Sequence, residues 1–248
     1  MAKGKKKEIS GTRLELTLAA EKVFALNGIA GATHRQIREA AGQKNESVIN
    51  YHFGSTDAII ESILQLRTTP INKMRQGMLA QARAESTSQL VSTEQVMRSL
   101  LMPLAHYVLD SNEPGYYLRF LVQLRTDRTA WRKFSGSYDR GLVECLSALR
   151  DAKPYLPIGI VNQRYMHALT VHLVGLAAIE QIKCEKGPGF RLAEGWVRVE
   201  DLITTTTALC DAPLSHTTVD AIHRLAERCP APAYGSFGRK RKVPEVPQ

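Results

Sequence analysis

The stretch GATHRQIREAAGQKNESVINYHF, residues 31–53, decides the fold of this chain. It predicts two short helices joined by a tight turn. Thr33 and Gln36 have the spacing of a capping box, in which each side chain bonds the other's backbone N–H, so the first helix is expected to begin there. Gly42 is expected to end that helix, because glycine adopts the positive φ that helix ends often require. Asn45 is then expected to cap the second helix.

The second helix has an apolar side and a polar side. Val48, Ile49 and Phe53 recur at helical spacing and are expected to face inward. The outward side carries short or planar hydrogen-bonding groups, which suit base edges and phosphates: Lys44, Glu46, Ser47, Asn50, Tyr51 and His52. The pattern predicts a helix-turn-helix with a recognition helix. An ordinary helical hairpin is the alternative, since short helix pairs with a glycine turn are common.

Motifs on both sides of this stretch extend the pattern. Upstream, residues 12–28 predict a helix with one apolar face made of Leu16, Ala19, Ala20, Val23 and Phe24. Downstream, YHFGS at residues 51–55 is followed by DAII at residues 57–60. Together, residues 10–65 resemble the TetR family of transcriptional repressors, whose motifs occur here in the same order and spacing. The resemblance implies a three-helix DNA-binding module at the N-terminus of a larger helical domain.

The sequence departs from the family pattern at four places. Thr17 stands where an aliphatic residue is usual, and Arg38 stands where alanine is usual. Residues 42–53 hold one extra residue in the turn before Asn45. Thr56 replaces a lysine that usually contacts phosphate at the start of the fourth helix. Because of the last two departures, the positions that contact DNA in the family do not map one for one onto residues 42–56 of this chain.

The resemblance and the polar outward face together imply a set of DNA-contacting residues. Ser47 and Asn50 are expected to read bases. Thr33 and Arg35 lie at a helix N-terminus, where backbone N–H groups also favour an anion, and are expected to contact phosphates. The full predicted set is Arg13, Thr33, Arg35, Gln36, Lys44, Asn45, Ser47, Asn50, Tyr51 and His52, with Tyr51 and His52 also contacting phosphates.

The formal net charge of +9 suits a polyanionic partner, and much of it lies at the two ends of the chain. Lys3, Lys5, Lys6 and Lys7 crowd the N-terminus, and a second basic run covers residues 239–242. For the first run, contact with the DNA backbone and a solvated arm both stay open. The second run is interpreted as a solvated tail, because prolines at 230, 232, 244 and 247 argue against a packed element.

Several function classes find no support in the sequence. It contains no apolar run long enough to span a membrane and no secretory signal. Four cysteines without C-x-x-C spacing, Cys145, Cys184, Cys210 and Cys229, are interpreted as reduced thiols of a cytoplasmic protein. Catalytic, metal-binding and cofactor-binding motifs are missing, and His167 and His172 diverge on a helix. We therefore predict no enzymatic activity, no catalytic residues, no metal and no cofactor.

Helical periodicity throughout predicts an all-α protein, with an N-terminal three-helix helix-turn-helix module and a larger C-terminal helical bundle. We expect a flexible basic arm at 1–9, a DNA-binding domain at 10–55, an effector-binding and dimerisation domain at 56–229, and a disordered basic tail at 230–248. Helices of the larger domain are expected at 56–84, 93–109, from 112 onward, 130–149, 157–186, 194–209 and 217–228. Pro70 and Pro103 are expected to kink two of them.

By resemblance, the larger domain binds a small-molecule effector between its helices. Aromatic and methionine residues with scattered polar partners suit such a pocket, although they also fill ordinary cores. The predicted lining is Met102, Tyr107, Tyr117, Phe120, Leu121, Leu124, Trp131, Phe134, Tyr138 and His167. Because no dense charged cluster lies among these residues, the effector is expected to be apolar or amphipathic.

The resemblance also implies a homodimer in which the last two long helices of each copy form a four-helix bundle. The faces expected to pair are Leu169, Leu173, Leu176, Ala177 and Glu180 on one helix, and Trp196, Val199, Ile203 and Thr206 on the other. An intramolecular core face is the alternative. The leading hypothesis is a repressor released from a palindromic double-stranded DNA operator by its effector. A helical protein-interaction module without sequence-specific DNA binding is the competing one.

Overall fold

The structure, a computed structural model, describes residues 11–88, 90–111, 115–134, 136, 138 and 140–228. Within these residues the protein is all-α, with eleven α-helices and no strand. The predicted arm at 1–9, the predicted tail at 230–248 and the predicted helix start at 112–114 lie outside them. None of the described helices has both the length and the apolar character needed to cross a membrane.

The helices follow one another along the chain with short connections. They are α1 Gly11–Asn27, α2 His34–Ala40, α3 Val48–His52, α4 Thr56–Glu85, α5 Thr93–Leu109, α6 Tyr117–Thr126, α7 Arg128–Phe134, α8 Arg140–Ala152, α9 Ile158–Lys186, α10 Leu192–Asp211 and α11 His216–Arg228. Pro70 and Pro103 lie inside α4 and α5, and both helices continue past them. The kinks expected at these two prolines stay predictions.

The first three helices form a small module at one end of a continuous apolar core, which they share with α4 and α6. The face predicted for α1 is buried as expected, and α1 packs against α2, α4 and α6. The apolar residues buried in the module are Leu16, Ala19, Ala20, Val23, Phe24, Ala25, Ile37, Val48 and Ile49.

Helices α4 to α10 form the larger bundle. α5 lies at its centre and packs against α4, α8, α9 and α10. α6 occupies a special position, because it packs against α1 of the module on one side and α9 of the bundle on the other. α6 therefore connects the two parts of the molecule.

Two helices differ from their predicted bounds. The single helix expected at 130–149 is split into α7 and α8, and Gly136 between them has φ +95°, a value that ends a right-handed helix and that glycine tolerates. The helix expected to begin at 112–114 begins at Tyr117 instead, with Gly115 and Tyr116 outside it.

The start of α6 is fixed by Glu180, which comes from α9. The Glu180 carboxylate accepts hydrogen bonds from the backbone N–H groups of Leu118, at 3.1 Å, and Arg119, at 3.2 Å, and from Arg119 Nε at 3.2 Å. Gly115 leaves room for this carboxylate, since a Cβ there would lie 3.0 Å from Glu180 Oε1. A capping group 62 residues away in the chain thus replaces the local helix start that the sequence predicted.

The predicted dimer faces are mostly wrong, because their residues are buried inside a single copy of the chain. Leu173, Leu176, Ala177, Glu180, Val199, Ile203 and Thr206 are buried, and Leu169 and Trp196 are half-buried. The alternative, an intramolecular core face, describes these residues. The spacing of apolar residues correctly indicates a buried face on each helix, but it does not indicate which helices cover that face.

Candidate nucleic-acid interface and ligand cavity

The start of α2 has the geometry that the sequence predicted. The Thr33 hydroxyl accepts a hydrogen bond from the backbone N–H of Gln36 at 3.2 Å, and Gln36 Oε1 accepts one from the Thr33 backbone N–H at 2.8 Å. The capping box is therefore confirmed. It leaves Thr33, Arg35 and Gln36 exposed at the N-terminal end of α2. His34, on the inner side of the same turn, places its Nε2 3.2 Å from the hydroxyl of Thr56, at the start of α4.

The turn between α2 and α3 differs from prediction in one respect. Gly42 has φ +66° and follows the end of α2 as expected. Asn45, however, does not cap α3: its Oδ1 accepts the backbone N–H of Ser47 at 2.9 Å, and α3 begins only at Val48. Such an Asx turn orders the chain two residues before the helix instead of at its cap.

Arg38 ties this turn to α2. Its Nη1 lies 3.3 Å from Glu46 Oε1, and the Arg38 side chain is mostly buried while that of Glu46 is exposed. An ion pair with one partner in solvent contributes little free energy. Its main effect here is to link α2 to the segment that precedes α3.

α3 is anchored on one side and open on the other. Val48 and Ile49 are buried, whereas Ser47 and Asn50 are exposed and Tyr51 is 85% exposed. The predicted inward side is thus confirmed for Val48 and Ile49, and the outward side for Ser47, Asn50 and Tyr51, whereas His52 and Phe53 are both half-buried. Lys44 and Asn45 in the preceding turn are exposed on the approach to the helix.

The end of α3 is held by Arg13 from α1. Nη1 of Arg13 donates to the backbone carbonyl of His52, and the guanidinium lies 4.4 Å from the centre of the Phe53 ring. Arg13 was predicted to contact DNA, but in the structure it positions the C-terminal end of α3. His52 is half-buried beside Tyr51, with ring centroids 5.0 Å apart.

The described part of the module is almost neutral. Residues 11–55 hold five lysines and arginines against four glutamates. Two of these cations form surface pairs, Arg35 with Glu39 at 2.7 Å and Arg38 with Glu46. The hydrogen bond between Arg35 and Glu39 raises the pKa of the arginine and lowers that of the glutamate. The outward surface is therefore polar and hydrogen-bonding more than it is strongly basic.

A small, partly open cavity of about 80 Å³ lies between helices of the bundle. It is lined by residues of α4, α5, α6, α8 and α9, together with Trp131 of α7 and Tyr138 of the following loop. Its lining consists of Leu64, Thr68, Ile71, Asn72, Arg75, Leu100, Leu104, Tyr117, Leu121, Arg125, Trp131, Tyr138, Leu142, Leu169 and Leu173.

The predicted lining overlaps this cavity only in part. Tyr117, Leu121, Trp131 and Tyr138 line it as expected. His167 is exposed on α9, and Phe120 faces α1, where its ring centroid is 6.1 Å from that of Phe24. The other predicted residues outside the lining are Met102, Tyr107, Leu124 and Phe134. Leu169 and Leu173, predicted for the dimer face, line the cavity instead.

The residues that prediction missed come largely from α4. Five residues on one face of α4 line the cavity: Leu64, Thr68, Ile71, Asn72 and Arg75. The apolar members of this face follow the helical spacing that the sequence shows for a long helix. Its polar members gave no signal, because a threonine, an asparagine or an arginine on a long helix is usually solvated.

The described residues thus form an all-α protein in which a helix-turn-helix module with a polar outward α3 is joined to a larger bundle with a small internal cavity. No family model matches the sequence. No curated protein matches it either. The fold is similar to that of a solved structure from Mesorhizobium loti assigned to the TetR family of transcriptional regulators, with a TM-score of 0.44 and 12% identity, over 82% of this chain and 98% of that chain.

Proposed function

We propose that this protein is a DNA-binding transcriptional regulator, with residues 10–55 as its DNA-binding domain and 56–229 as its effector-binding and dimerisation domain. One observation carries the proposal: α3 buries Val48 and Ile49 while it presents Ser47, Asn50 and Tyr51 to solvent. A helix held in this way can lie in the major groove, with its polar residues against base edges.

The roles of the exposed residues follow from their chemistry. The Asn50 amide can donate to and accept from an adenine, so Asn50 and Ser47 are the base readers. Thr33, Arg35, Gln36 and Tyr51 are the phosphate contacts, since they surround the exposed N-terminus of α2 and the outer side of α3. Arg35 must exchange its contact with Glu39 for a phosphate of the duplex, and because both side chains are exposed that ion pair is weak.

The dimer of this proposal uses the exposed faces of α9 and α10 in place of the buried residues predicted from the sequence. Val174 on α9 is 53% exposed and Val197 on α10 is 70% exposed, with Val171 also exposed on α9. These two helices pack directly against each other, so their outer faces can meet the same pair in a second copy. Two recognition helices would then read two half-sites about 34–36 Å apart or a multiple of this.

Selection from fragmented genomic DNA tests the function. The full chain is mixed with the fragments and the retained duplexes are sequenced, which yields a near-palindromic site if the proposal holds. Arg35→Ala should weaken binding to every duplex and reduce the salt dependence by roughly one unit. Asn50→Ala should cost about 1–3 kcal/mol for the preferred base at one position only.

The control is Lys73→Ala, which removes an exposed charge from α4 far from α3. Lys73→Ala should leave both affinity and sequence preference unchanged. Retention of no common sequence by wild type would favour the protein-interaction module instead. Equal losses for Asn50→Ala and Arg35→Ala on specific and random duplexes would refute the division between base readers and phosphate contacts.

A separate pair of variants tests the dimer. Val174→Glu places a charge in the proposed interface and should produce a monomer in sedimentation experiments, with a large loss of specific DNA binding. Val143→Glu places the same charge on α8, where Val143 is 60% exposed, and should leave the dimer intact. A wild-type monomer at micromolar concentration with undiminished specific binding would contradict the proposed dimer.

A further inference from the structure

The surface of the module formed by α1, α2 and α3 carries negative charge close to the helix proposed to read DNA. Glu15, Glu39 and Glu46 are exposed, and the side chain of Glu46, in the turn before α3, is 90% exposed. These carboxylates repel the phosphates of an approaching duplex. About half or more of the hydrogen bonds between a protein and DNA go to phosphates and sugars. A regulator of the proposed kind therefore needs cations that outweigh these carboxylates.

The module itself offers few such cations. Residues 11–55 hold five lysines and arginines, and three of them are engaged with other parts of the protein. Arg13 bonds the end of α3, and Arg38 is mostly buried in its ion pair with the turn before α3. Lys22 lies towards the bundle, 5.5 Å from the ring centre of the tyrosine that precedes α6. Arg35 and Lys44, which are exposed, are few beside the about 6–10 phosphate contacts that a strongly salt-dependent DNA complex makes.

Four lysines that precede α1 can supply the missing charge. They are Lys3, Lys5, Lys6 and Lys7, and are called the N-terminal lysines. The chain continues from them into α1 at Gly11, which is exposed. Two residues further on, Arg13 donates to the backbone carbonyl of His52, so the start of α1 lies against the end of α3. The N-terminal lysines are therefore attached to the protein beside the helix proposed to enter the major groove.

The length of chain before α1 is sufficient to reach the phosphates. A fully extended chain spans at most about 3.6 Å per residue, so the Cα atom of Lys7 lies within about 14 Å of that of Gly11, and the Cα atom of Lys3 lies within about 29 Å. The major groove of B-DNA is about 12 Å wide. Both phosphate backbones that border a major groove containing α3 are thus within reach of these side chains.

We propose that the N-terminal lysines bind phosphates of double-stranded DNA beside the groove read by α3, and that they supply most of the salt-dependent affinity of the complex. This inference rests on the proposed function and divides it between two parts of the chain. A lysine ammonium binds phosphate as a point charge, and such contacts carry no sequence information. The lysines thus give affinity for any duplex, while the exposed face of α3 gives preference for one sequence.

Two variants of the full chain that lose the same charge test the proposal. The N-terminal variant combines Lys3→Gln, Lys5→Gln, Lys6→Gln and Lys7→Gln. The control variant combines Arg239→Gln, Lys240→Gln, Arg241→Gln and Lys242→Gln in the second basic run, so each variant loses four positive charges. Affinity for the selected duplex and for an unrelated duplex is measured at salt concentrations from about 0.05 to 0.2 M. Thermal unfolding of both variants checks that they remain folded.

The N-terminal variant should lose affinity for both duplexes by about 10- to 100-fold near 0.15 M salt, while the ratio of the two affinities stays constant. The slope of log affinity against log salt concentration should fall by roughly 3–4 per chain, because each phosphate contact contributes about 0.9. Hydroxyl-radical footprinting should show less protection of the backbone beside the selected site and unchanged protection within it. The control variant should keep the affinity and the salt slope of wild type.

Three results would overturn this inference. An unchanged salt slope in the N-terminal variant would show that its lysines do not contact phosphates. Equal losses in the two variants would show that net charge acts without regard to position. A changed base preference in the N-terminal variant would contradict contacts confined to phosphates.

The same measurements separate this inference from the proposed function. Binding of unrelated duplexes needs no operator, so the role of the lysines is measured whether or not selection finds a site. Loss of that binding in the N-terminal variant, with no sequence selected by wild type, would uphold the lysine contacts and refute the regulator. A selected site that the N-terminal variant binds as wild type does would refute the lysine contacts alone. Failure of wild type to bind any duplex would refute both.

Discussion

Thr17 and Ser62 form a buried hydroxyl pair between α1 and α4. Their oxygen atoms are 2.9 Å apart, and neither residue is exposed. The Thr17 hydroxyl donates to the backbone carbonyl of Arg13 at 2.7 Å, so the Ser62 hydroxyl donates to Thr17 Oγ1. Each hydroxyl thus has a polar partner on the facing helix, which offsets the cost of burying it.

We predict that Thr17→Val destabilises the protein by about 1–3 kcal/mol, because it leaves the buried Ser62 hydroxyl without its acceptor. The double variant Thr17→Val/Ser62→Ala removes both polar groups and should recover most of that loss. Urea unfolding of wild type, both single variants and the double variant gives the coupling energy. A double variant whose loss equals the sum of the two single losses would show that the pair does not interact.

His172 makes the stability of the fold depend on pH. It is buried in α9, and its Nε2 lies 2.7 Å from the hydroxyl of Thr206 in α10. The Thr206 hydroxyl lies 2.6 Å from the Leu202 carbonyl and donates to it, so His172 donates to Thr206 from Nε2. Burial lowers the pKa of the folded protein's His172 to about 3, against an ordinary value of 6.5.

We predict that stability falls as the pH drops from about 6.5 towards 3. Over this range the unfolded chain binds a proton at residue 172 and the folded chain does not, so each pH unit costs about 1.4 kcal/mol. His172→Gln keeps a donor for Thr206 but does not titrate, and it should flatten the slope of unfolding free energy against pH. His216→Gln, at an exposed histidine, should keep the wild-type slope. Equal slopes in all three proteins would count against a neutral buried His172.

At the scale of helices, the bounds that followed from local signals were predictable. The capping box at Thr33 and Gln36 marks the start of α2, and Pro157 precedes α9, as the sequence indicated. These signals act within one turn of helix, so neighbouring residues suffice to read them. The start of α6 was not predictable, because it depends on Glu180, a residue that only the tertiary fold brings there.

The two candidate sites differ in the same way: the face of α3 depends on local sequence, whereas the cavity depends on the tertiary fold. The outward face of α3 was predictable because a short helix on a small module has one inner and one outer side. The cavity was less predictable, because an apolar face of α9 packs equally well against a partner copy, a ligand space or a neighbouring helix. Leu169 and Leu173 illustrate this: their spacing was recognised, but their neighbours turned out to be cavity residues.

We predict that Glu180→Ala destabilises the protein by about 3–5 kcal/mol, because it leaves Arg119 and two backbone N–H groups without their buried acceptor. Glu180→Gln keeps one acceptor oxygen and should lose less. Hydrogen exchange at the amides of Leu118 and Arg119 should accelerate selectively in Glu180→Ala. Glu185→Ala, at an exposed glutamate of the same helix, is the control. Exchange unchanged at these two amides would mean that Glu180 does not fix the start of α6.

Across the whole molecule, α6 joins the cavity to the module formed by α1, α2 and α3. Tyr117 lines the cavity and its hydroxyl lies 3.1 Å from that of Thr68, while Phe120, one turn along, packs on Phe24 of α1. Nearby, Arg67 of α4 makes two hydrogen bonds to Glu21 of α1, at 2.8 and 3.1 Å. Movement of α6 therefore acts directly on the helix that holds α3 in place.

Because the cavity is small, a ligand that binds in it would act on the contact between α6 and α1. A ligand that fills more than about 80 Å³ would press on lining side chains, and Tyr117 and Leu121 are among those on α6. A displaced α6 would change its packing on α1, and α1 carries Arg13, which holds the end of α3. A ligand would shift DNA binding only through its different affinity for the two arrangements. We propose that the contact between Phe24 and Phe120 passes that difference to the module.

We predict that a small molecule which binds the cavity, identified by the rise it causes in the unfolding temperature, lowers affinity for the selected duplex by about 5–150-fold, a coupling of roughly 1–3 kcal/mol. Phe120→Leu keeps the core apolar and should leave ligand binding and ligand-free DNA binding nearly unchanged, while the effect of the ligand on DNA affinity shrinks towards none. Duplex titrations of wild type and variant, with and without saturating ligand, measure the coupling. Phe190→Leu, beside α10, should respond like wild type. A full response in Phe120→Leu would instead place the coupling in α4, through the ion pair between Glu21 and Arg67.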